Sequence, residues 1–319
     1  MSAVVPTIDL REPVRSIAAQ LDDACTRVGF FQIVGHGLDP AVEEAAWHAA
    51  GEFFALDLTE KLAVAIPEGG AYGYAPFRTE RLAASLGAQT PPDLKETFSI
   101  GPVELPVEMP ADPAAAFVYS TTPWPTGLPA LRESWEPYYC ALAALTARLM
   151  GVMAVALRLD SQFFEPYIHC HTSALRALNY PDLGGGRPEP GQLRAGAHTD
   201  YGTLTLLRQD DAPGGLQVLG TDRQWHAVPA TPGAYVVNVA DALARWTNDR
   251  WRSTMHRVVT PPVDVGGDCT RRSMAFFHNA NWDAVIECLP TCLAPGEAAR
   301  HEPITAGQHL MEKFRSAQY

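Results

Sequence analysis

The sequence is poor in cysteine and in positive charge. Six cysteines in 319 residues are too few for a disulfide-stabilised fold. The closest pair, Cys288 and Cys292, lacks the second pair that a structural zinc site needs, so we expect reduced and mostly buried thiols. Lysine and arginine number 24 against 36 acidic residues, which gives a net charge of −12. Without a basic cluster, neither nucleic acid nor an anionic membrane is an expected partner.

Long apolar runs and a secretory leader are also missing. By inspection of the sequence, no apolar stretch approaches the roughly 20 residues that span a bilayer. Residues 1–6 do not place an apolar segment after a basic one, as a signal peptide does. We therefore expect a cytoplasmic protein. No G-x-G-x-x-G follows a strand pattern and no βαβ alternation is present, so a Rossmann nucleotide-binding domain is not expected.

The first half of the chain mixes helix and strand patterns. Apolar residues recur at helical spacing over residues 12–28, 40–56 and 128–159, and the last of these is the clearest helix. Residues 30–34 predict a short strand. Residues 67–93 are rich in Gly, Pro and Ala and predict a long loop with one short helical piece. Long loops of this kind are often functional lids.

From Ser173 the pattern changes to short strands separated by turns, at the spacing of roughly 8–12 residues that is typical of an all-β sandwich or barrel. The predicted strands are residues 175–180, 195–200, 203–207, 216–219, 225–228, 235–239, 254–259 and 272–278. We expect one domain over residues 1–319. Its predicted parts are a mixed α/β part at 1–172, a β core at 173–280 and a C-terminal segment at 281–319.

The sharpest chemical feature is His198-Thr199-Asp200 on a predicted strand. Residues two apart in a strand point to the same face, so an imidazole and a carboxylate would converge. Two ligands hold a metal weakly, and His256 on a later predicted strand can supply a third. Two histidines and one carboxylate form the facial arrangement of non-haem Fe(II) oxygenases. The alternative is a polar strand end at which Asp200 caps a turn.

A second feature is Arg271-Arg272-Ser273 at the head of an apolar strand. Alternation places Arg271 and Ser273 on one face and Arg272 on the other. An inward arginine needs an anionic partner, and a carboxylate fits guanidinium through two parallel hydrogen bonds. The alternative for Arg271 is an ordinary surface arginine. Alternation or adjacency also makes three side chains candidates for a pocket wall: Phe277, Asn279 and Tyr201.

Together these motifs resemble the isopenicillin N synthase-like, 2-oxoglutarate-dependent dioxygenases. The order agrees, and so do the separations: 56 residues from Asp200 to His256 and 15 from His256 to Arg271. The resemblance extends over roughly residues 4–280. Further matching segments are residues 5–10, 29–37, 95–98, 179–181, 214–218 and 237–241.

The resemblance implies a mainly β fold, a double-stranded β-helix or jelly roll, with helices packed around it. The residues carried over are His198, Asp200 and His256 as Fe(II) ligands, with Arg271, Ser273 and Tyr180 for 2-oxoglutarate. Dioxygen is the implied second co-substrate, and ascorbate is a candidate reductant. The implied reaction couples oxidative decarboxylation of 2-oxoglutarate to hydroxylation or desaturation of a small molecule, which we expect in bacterial secondary metabolism.

Two other functions stay open at this point. An isopenicillin N synthase-type oxidase or cyclase uses dioxygen without 2-oxoglutarate, and its Arg-x-Ser pair holds a substrate carboxylate. A non-enzymatic, metal-binding jelly roll is the other alternative. The remaining polar candidates are expected to be structural: His36, the tripeptide His169-Cys170-His171, Asn238 and Asp241.

Overall fold

The computed structural model describes residues 5–87, 90–184, 186–262 and 265–317. The predicted loop at 67–93 therefore includes two residues, 88 and 89, that lie outside the described part. The predicted single domain likewise extends beyond it at both ends.

Helices alternate with strands in the first half of the chain and recur near its end. The helices are α1 Val14–Arg27, α2 Pro40–Ala55, α3 Leu58–Leu62, α4 Ala115–Val118, α5 Pro129–Ala156, α6 Glu165–Ile168, α7 Asp241–Trp246 and α8 Ala306–Ala317, with short 3-10 helices at Leu82–Leu86 and Pro290–Cys292. Local chemistry sets their ends. Asp39 caps α2 by accepting a 2.9 Å hydrogen bond from the Ala41 amide, with Pro40 at the first helical position. Helix α1 is followed by Gly29 at φ +69°, where a Cβ would lie 2.0 Å from a backbone oxygen.

The strands form two facing sheets and a small ribbon. They are β1 Thr7–Asp9, β2 Phe30–Val34, β3 Gly73–Ala75, β4 Glu96–Ile100, β5 Ala174–Tyr180, β6 Ala195–His198, β7 Leu204–Gln209, β8 Leu216–Leu219, β9 Trp225–Ala227, β10 Tyr235–Val239, β11 His256–Val258, β12 Arg271–His278, β13 Val285–Ile286 and β14 Ile304–Thr305. The large sheet runs β1-β2-β10-β7-β12-β5-β4-β3, and the small sheet runs β6-β11-β8-β9. All the pairings are antiparallel except β1 with β2.

The two faces of the large sheet pack against different parts of the protein. Its outer face packs against helices α1, α2 and α5, in a cluster that joins Phe31, Leu206 and Phe276 of the sheet to Trp135 of α5. This layer is the main hydrophobic core. Alternation then directs the intervening residues of each strand into the space between the sheets.

Side chains from both sheets meet in that inner space. Tyr180 and Ala275 of the large sheet pack with Ala195 and Val258 of the small sheet. Two antiparallel sheets closed over a shared interior, with helices outside, form the expected mainly β fold of the double-stranded β-helix type.

Helix α5 corrects one expectation. By length and composition it could cross a membrane, so the expectation that no apolar stretch approaches that length was wrong. Its apolar residues are part of the protein's own core, with Trp135, Leu142 and Leu149 buried against the sheet and the neighbouring helices.

Several elements differ from the sequence-based expectation. The predicted loop at 67–93 contains strand β3 besides the short 3-10 helix, and helix α7 interrupts the half that was expected to be all β. The large sheet takes strands from both sides of residue 173, and the predicted division into three parts stays a prediction. The cysteines are unpaired, but only Cys25 and Cys269 are buried and Cys140 is exposed, so the expectation of mostly buried thiols was wrong.

Candidate active site

Three side chains converge in the space between the two sheets, which is called the barrel interior below: His198, Asp200 and His256. Within the described ranges they form a group whose ligand atoms all lie within 4.8 Å of one another. The Nε2 atoms of His198 and His256 lie 3.7 Å and 3.6 Å from Oδ1 of Asp200. The donor set, two neutral nitrogens and one carboxylate oxygen around a common centre, fits a facially bound Fe(II).

Pairing of two short strands brings the histidines together, and a turn brings the carboxylate. His198 of β6 lies opposite His256 of β11 in the antiparallel register. Strand β6 ends at His198, so Asp200 is not on the strand as predicted. The chain turns after β6, where the carbonyl of Asp200 accepts a 2.9 Å hydrogen bond from the Asp241 amide. The convergence of His198 and Asp200 therefore comes from this turn rather than from strand alternation.

Backbone carbonyls orient both imidazoles. Nδ1 of His198 lies 2.7 Å from the oxygen of Gly196, and Nδ1 of His256 lies 3.1 Å from the oxygen of Thr254. Because a carbonyl oxygen only accepts, each Nδ1 carries the proton and each Nε2 presents its lone pair to the centre. Burial, reinforced by the neighbouring His256, lowers the pKa of His198 to about 3. The neutral form that a metal requires is thus the resting form.

Two donors hold the carboxylate of Asp200 in place. Its Oδ2 accepts hydrogen bonds from Oγ1 of Thr205 at 2.6 Å and from Nδ2 of Asn238 at 2.8 Å. Oδ1 is left to face the histidines. Burial alone would raise the pKa of this carboxyl, but the two histidines and the two donors together lower it. The group is therefore an anion aimed at the common centre.

One row of the large sheet lies beneath this centre. Asn238 is directly opposite Phe30 on one side and Thr205 on the other, and Thr205 is opposite Phe277. Directly opposed residues share a face of the sheet, so Phe277 lies on the same face as the groups that hold Asp200. The ring of Phe30 is 5.3 Å from that of His256. The register therefore places Phe277 in the barrel interior, and its role as a pocket wall stays a prediction.

The adjacent arginines of β12 take opposite sides. Arg271 is only 1% exposed, and its Nη2 donates a 2.6 Å hydrogen bond to Oε1 of Gln209. Its Nη1 is buried without a partner in the described part of the chain. Arg272 lies on the outer face, with its guanidinium 4.6 Å from the ring of Trp47 in α2. The carboxylate of Asp210 approaches Nε of Arg271 only to 3.9 Å.

The surroundings of Arg271 are cationic. Tyr180 lies opposite it on β5, with its ring 5.2 Å from the Arg271 guanidinium and 5.9 Å from that of Arg194. Arg194 is buried and donates to the carbonyls of Pro213, at 2.7 Å, and Cys269. Burial, with the nearby Arg271, lowers the pKa of Arg194. An unpartnered guanidinium nitrogen in such a region fits the carboxylate of a bound dicarboxylate.

The other predicted site residues lie around this pocket. Ser273 is buried two residues along β12 from Arg271 and shares its face. The ring of Tyr201 is 6.0 Å from that of Phe314 in α8. Nδ2 of Asn279 donates a 2.8 Å hydrogen bond to the carbonyl of Thr172, at the end of β12. Roles for these side chains toward co-substrate or substrate stay predictions.

Sequence reasoning missed the side chains that support the site. Asn238 was expected to be structural, but it binds the carboxylate of Asp200. Gln209 and Arg194 were not considered. A signal existed for Asn238, because a lone amide within the apolar strand Tyr235–Val239 must find a partner when buried. Asp241 accepts hydrogen bonds from Oγ1 of Thr199 at 3.2 Å, so it fixes the residue between the first two ligands.

Comparison with known proteins agrees with this geometry. A family profile described as the 2OG-Fe(II) oxygenase superfamily matches residues 172–280, and the N-terminal profile of a non-haem dioxygenase in morphine synthesis matches residues 5–127. The chain is 35% identical over 305 residues to a 2-oxoglutarate-Fe(II) type oxidoreductase of Aspergillus fumigatus, covering 94% of this chain and 87% of that protein. It is 32% identical over 326 residues to validamycin A dioxygenase of Streptomyces hygroscopicus, covering 98% and 86%. The solved structure of Neurospora crassa T7H with alpha-KG and thymine superposes with a TM-score of 0.83 at 30% identity, covering 99% and 97%.

Proposed function

The chain belongs to the 2OG-Fe(II) oxygenase superfamily, and from this premise we propose that His198, Asp200 and His256 bind the catalytic Fe(II). The observation that carries this assignment is the convergence of two Nε2 atoms and one carboxylate oxygen within 4.8 Å. Thr205 and Asn238 hold the second carboxylate oxygen away from the centre, which leaves one oxygen for the metal. Three open positions then remain for co-substrate and dioxygen.

The protein is an Fe(II)/2-oxoglutarate-dependent dioxygenase that acts on a small molecule. Iron bound at the three ligands supplies the activation of dioxygen, coupled to oxidative decarboxylation of 2-oxoglutarate to succinate. The protein's own contribution is geometric and electrostatic. It fixes the three ligands by backbone and side-chain hydrogen bonds and encloses the reacting groups between two sheets.

We assign 2-oxoglutarate to the pocket around Arg271. Its unpartnered Nη1 is available to the far carboxylate of the co-substrate, Ser273 shares its face, and Tyr180 lies opposite. Arg194 adds a second buried positive charge that favours a dianion. A substrate carboxylate would fit the same Nη1 of Arg271, so the similarity to 2-oxoglutarate-dependent relatives is what favours this co-substrate over the oxidase and the non-enzymatic alternatives.

The substrate pocket is assigned to the barrel mouth, with Phe277, Asn279 and Tyr201 as its walls. The similarity to a validamycin A dioxygenase and to a protein solved with thymine favours a small polar organic molecule. The excess of acidic residues supports an enzyme with no nucleic-acid or membrane partner, and we place it in the cytoplasm. A place in bacterial secondary metabolism and ascorbate as reductant stay predictions.

The metal assignment is tested by His256→Ala. Loss of one of three ligands should abolish iron retention after anaerobic loading and desalting, together with succinate formation from 2-oxoglutarate. The matched control is His226→Ala, because His226 lies on β9, two strands from β11 in the small sheet, and has Asp222 as its partner. Thermal unfolding of the metal-free proteins checks that both variants fold. Iron retention and succinate release at the level of the unmodified enzyme in His256→Ala would refute the assignment.

A further inference from the structure

A second polar cluster faces the barrel interior, and the metal and co-substrate sites leave it unused. Arg176 of β5 donates from Nε to Oγ of Ser99 at 2.8 Å and from Nη1 to Oε1 of Glu80 at 3.2 Å. Lys95 lies 3.3 Å from the other oxygen of Glu80 and 2.7 Å from Asp93. The cluster joins two strands of the large sheet to the loop at 67–93, which supplies Glu80.

The register places Arg176 beside the candidate pocket wall. Arg176 lies directly opposite Ala275, which is part of the inner cluster. Two residues earlier on β5, Ala174 lies opposite Phe277. Arg176 and Phe277 are therefore diagonal neighbours on the inner face, a separation of roughly 7–8 Å between positions.

The cluster is also tied to the metal ligands. Oδ1 of Asp93 accepts a 2.9 Å hydrogen bond from the Gly196 amide, two residues before His198 on β6. The cluster is therefore joined by a hydrogen bond to the strand that carries His198.

The side chains of the cluster differ in their exposure to solvent. The side chains of Lys95 and Asp93 are 1% and 2% exposed, whereas those of Arg176 and Glu80 are each 25% exposed. Nη2 of Arg176 has no hydrogen-bond partner within the described ranges, since its guanidinium bonds are those to Ser99 and Glu80. The donor of the cluster that makes no hydrogen bond within the described ranges therefore belongs to one of its two partly exposed side chains.

We propose that Arg176 is a substrate-recognition residue and that the substrate presents a neutral oxygen acceptor, a carbonyl or hydroxyl group, to Nη2. This inference rests on the proposed function, since it concerns the substrate of the same iron site. Two cations, Arg176 and Lys95, and two carboxylates, Glu80 and Asp93, make the cluster neutral overall. A substrate carboxylate would meet Glu80 at the same guanidinium, and an amine would meet Arg176, so both charges are disfavoured.

The test is a panel of ring compounds, each in its amide, carboxylate and aminomethyl form, assayed for stimulation of 2-oxoglutarate-dependent succinate release above the rate without substrate. The amides should stimulate, and the two charged forms should not. In Arg176→Met, the KM for a stimulating amide should rise about 10- to 100-fold, the cost of losing a hydrogen bond to a charged group. Arg176→Lys should recover part of the loss.

Two further variants sharpen the result. Glu80→Gln leaves the cluster with one net positive charge, so the carboxylate members should now stimulate. Arg208→Met is the control, because Arg208 lies on the outer face of β7 over Trp47, and it should leave the KM unchanged. Calorimetric titration of the same amide into Zn(II)- and 2-oxoglutarate-loaded protein measures binding without turnover.

The results distinguish a failure of the role of Arg176 from a failure of the proposed function. Stimulation confined to carboxylates or amines, or a KM in Arg176→Met within twofold of the unmodified enzyme, would overturn the role of Arg176. Absence of any succinate from the unmodified enzyme would overturn the proposed function instead. In that case the calorimetric comparison of Arg176→Met with Arg208→Met still decides whether Arg176 binds the neutral group.

Discussion

The two adjacent arginines of β12 allow a sharp test of the co-substrate assignment. Arg271 is buried with one guanidinium nitrogen unpartnered, and Arg272 points to the helix layer and Trp47. Both can be replaced by methionine, which keeps much of the side-chain volume and removes the charge. Only Arg271→Met should weaken the binding of 2-oxoglutarate.

The magnitude follows from the burial of Arg271. Truncating one partner of a buried, hydrogen-bonded charge pair costs about 2–5 kcal/mol, and about 1.4 kcal/mol corresponds to tenfold. Gln209 offers Arg271 only a neutral hydrogen bond and the carboxylate of Asp210 lies 3.9 Å from its Nε, so in the proposed complex the carboxylate of 2-oxoglutarate is the counter-charge at hydrogen-bond distance. We therefore expect at least about a 30-fold weaker affinity in Arg271→Met. Arg272→Met should change the affinity by no more than about threefold, because its guanidinium lies over Trp47 on the outer face of the sheet and not in the pocket.

Thermal unfolding measures the affinity for 2-oxoglutarate without turnover. At a ligand concentration of about 100 times its Kd, 2-oxoglutarate stabilises the folded enzyme by about 2.7 kcal/mol. A 30-fold weaker Kd reduces this to about 0.9 kcal/mol at the same concentration. Without ligand, Arg271→Met should unfold at or above the temperature of the unmodified enzyme, because it removes a buried charge that is opposed only by the carboxylate of Asp210 at 3.9 Å.

The assay is anaerobic, with Zn(II) in the metal site, and succinate formation under air is measured in parallel. Equal and small effects in the two methionine variants would refute the assignment of Arg271 by strand alternation. Turnover of substrate without any 2-oxoglutarate would instead support the oxidase alternative, in which Arg271 binds the substrate.

Two further predictions concern the supports of the site and of the core. Asn238→Leu removes one of the two donors to Asp200 and should weaken iron binding about 10- to 100-fold, measured by competition with a chelator. The control is Asn179→Leu, because Asn179 lies on the outer face of β5. Equal iron affinities in the two variants would contradict the role of Asn238. Burial lowers the pKa of His171 to about 4, so the unfolded chain binds more protons than the folded chain between about pH 6.5 and 4, and stability falls as the pH is lowered through this window. His171 stacks on Tyr139, and His171→Phe keeps an aromatic ring there. This variant should reduce the difference in unfolding free energy between pH 7 and pH 5 by up to about 2 kcal/mol. An unchanged pH dependence would contradict the assignment of this effect to His171.

The strands with clear apolar patterns were predictable from the sequence. Residues 216–219 and 235–239 match β8 and β10 end for end, and the strand at 30–34 matches β2. These segments carry enough consecutive apolar or β-branched residues for a pattern of period two, or a buried run, to be visible. Strand β3, with only Gly73-Tyr74-Ala75, is too short for any period, and its pairing with β4 and its bridge to Ala65 define it.

The site was predictable in its residue types but not in its geometry. The spacing of His198, Asp200 and His256 was enough to identify a candidate metal group. The expected cause, alternation along one strand, was wrong, because β6 ends at His198. Asp200 is placed by hydrogen bonds from Thr205 and Asn238, two residues on other strands. The lone amide of Asn238 in an apolar strand signals that it needs a partner, but no sequence pattern identifies Asp200 as that partner, so only the folded sheet reveals the contact.

Strand β12, which carries the residues proposed to bind the co-substrate, is positioned by the helix layer on the opposite face of the sheet. On β12, Arg271, Ser273 and Phe277 face inward, while Met274 and Phe276 of the same strand are buried in the outer core. A slip of one residue would exchange the two faces, so Arg272 would enter the pocket and Phe276 would leave the core. Burying a large aromatic side chain stabilises the fold by about 1.5–3 kcal/mol relative to exposure, and this energy opposes the slip. The helix layer therefore secures the register on which the choice of Arg271 over Arg272 depends.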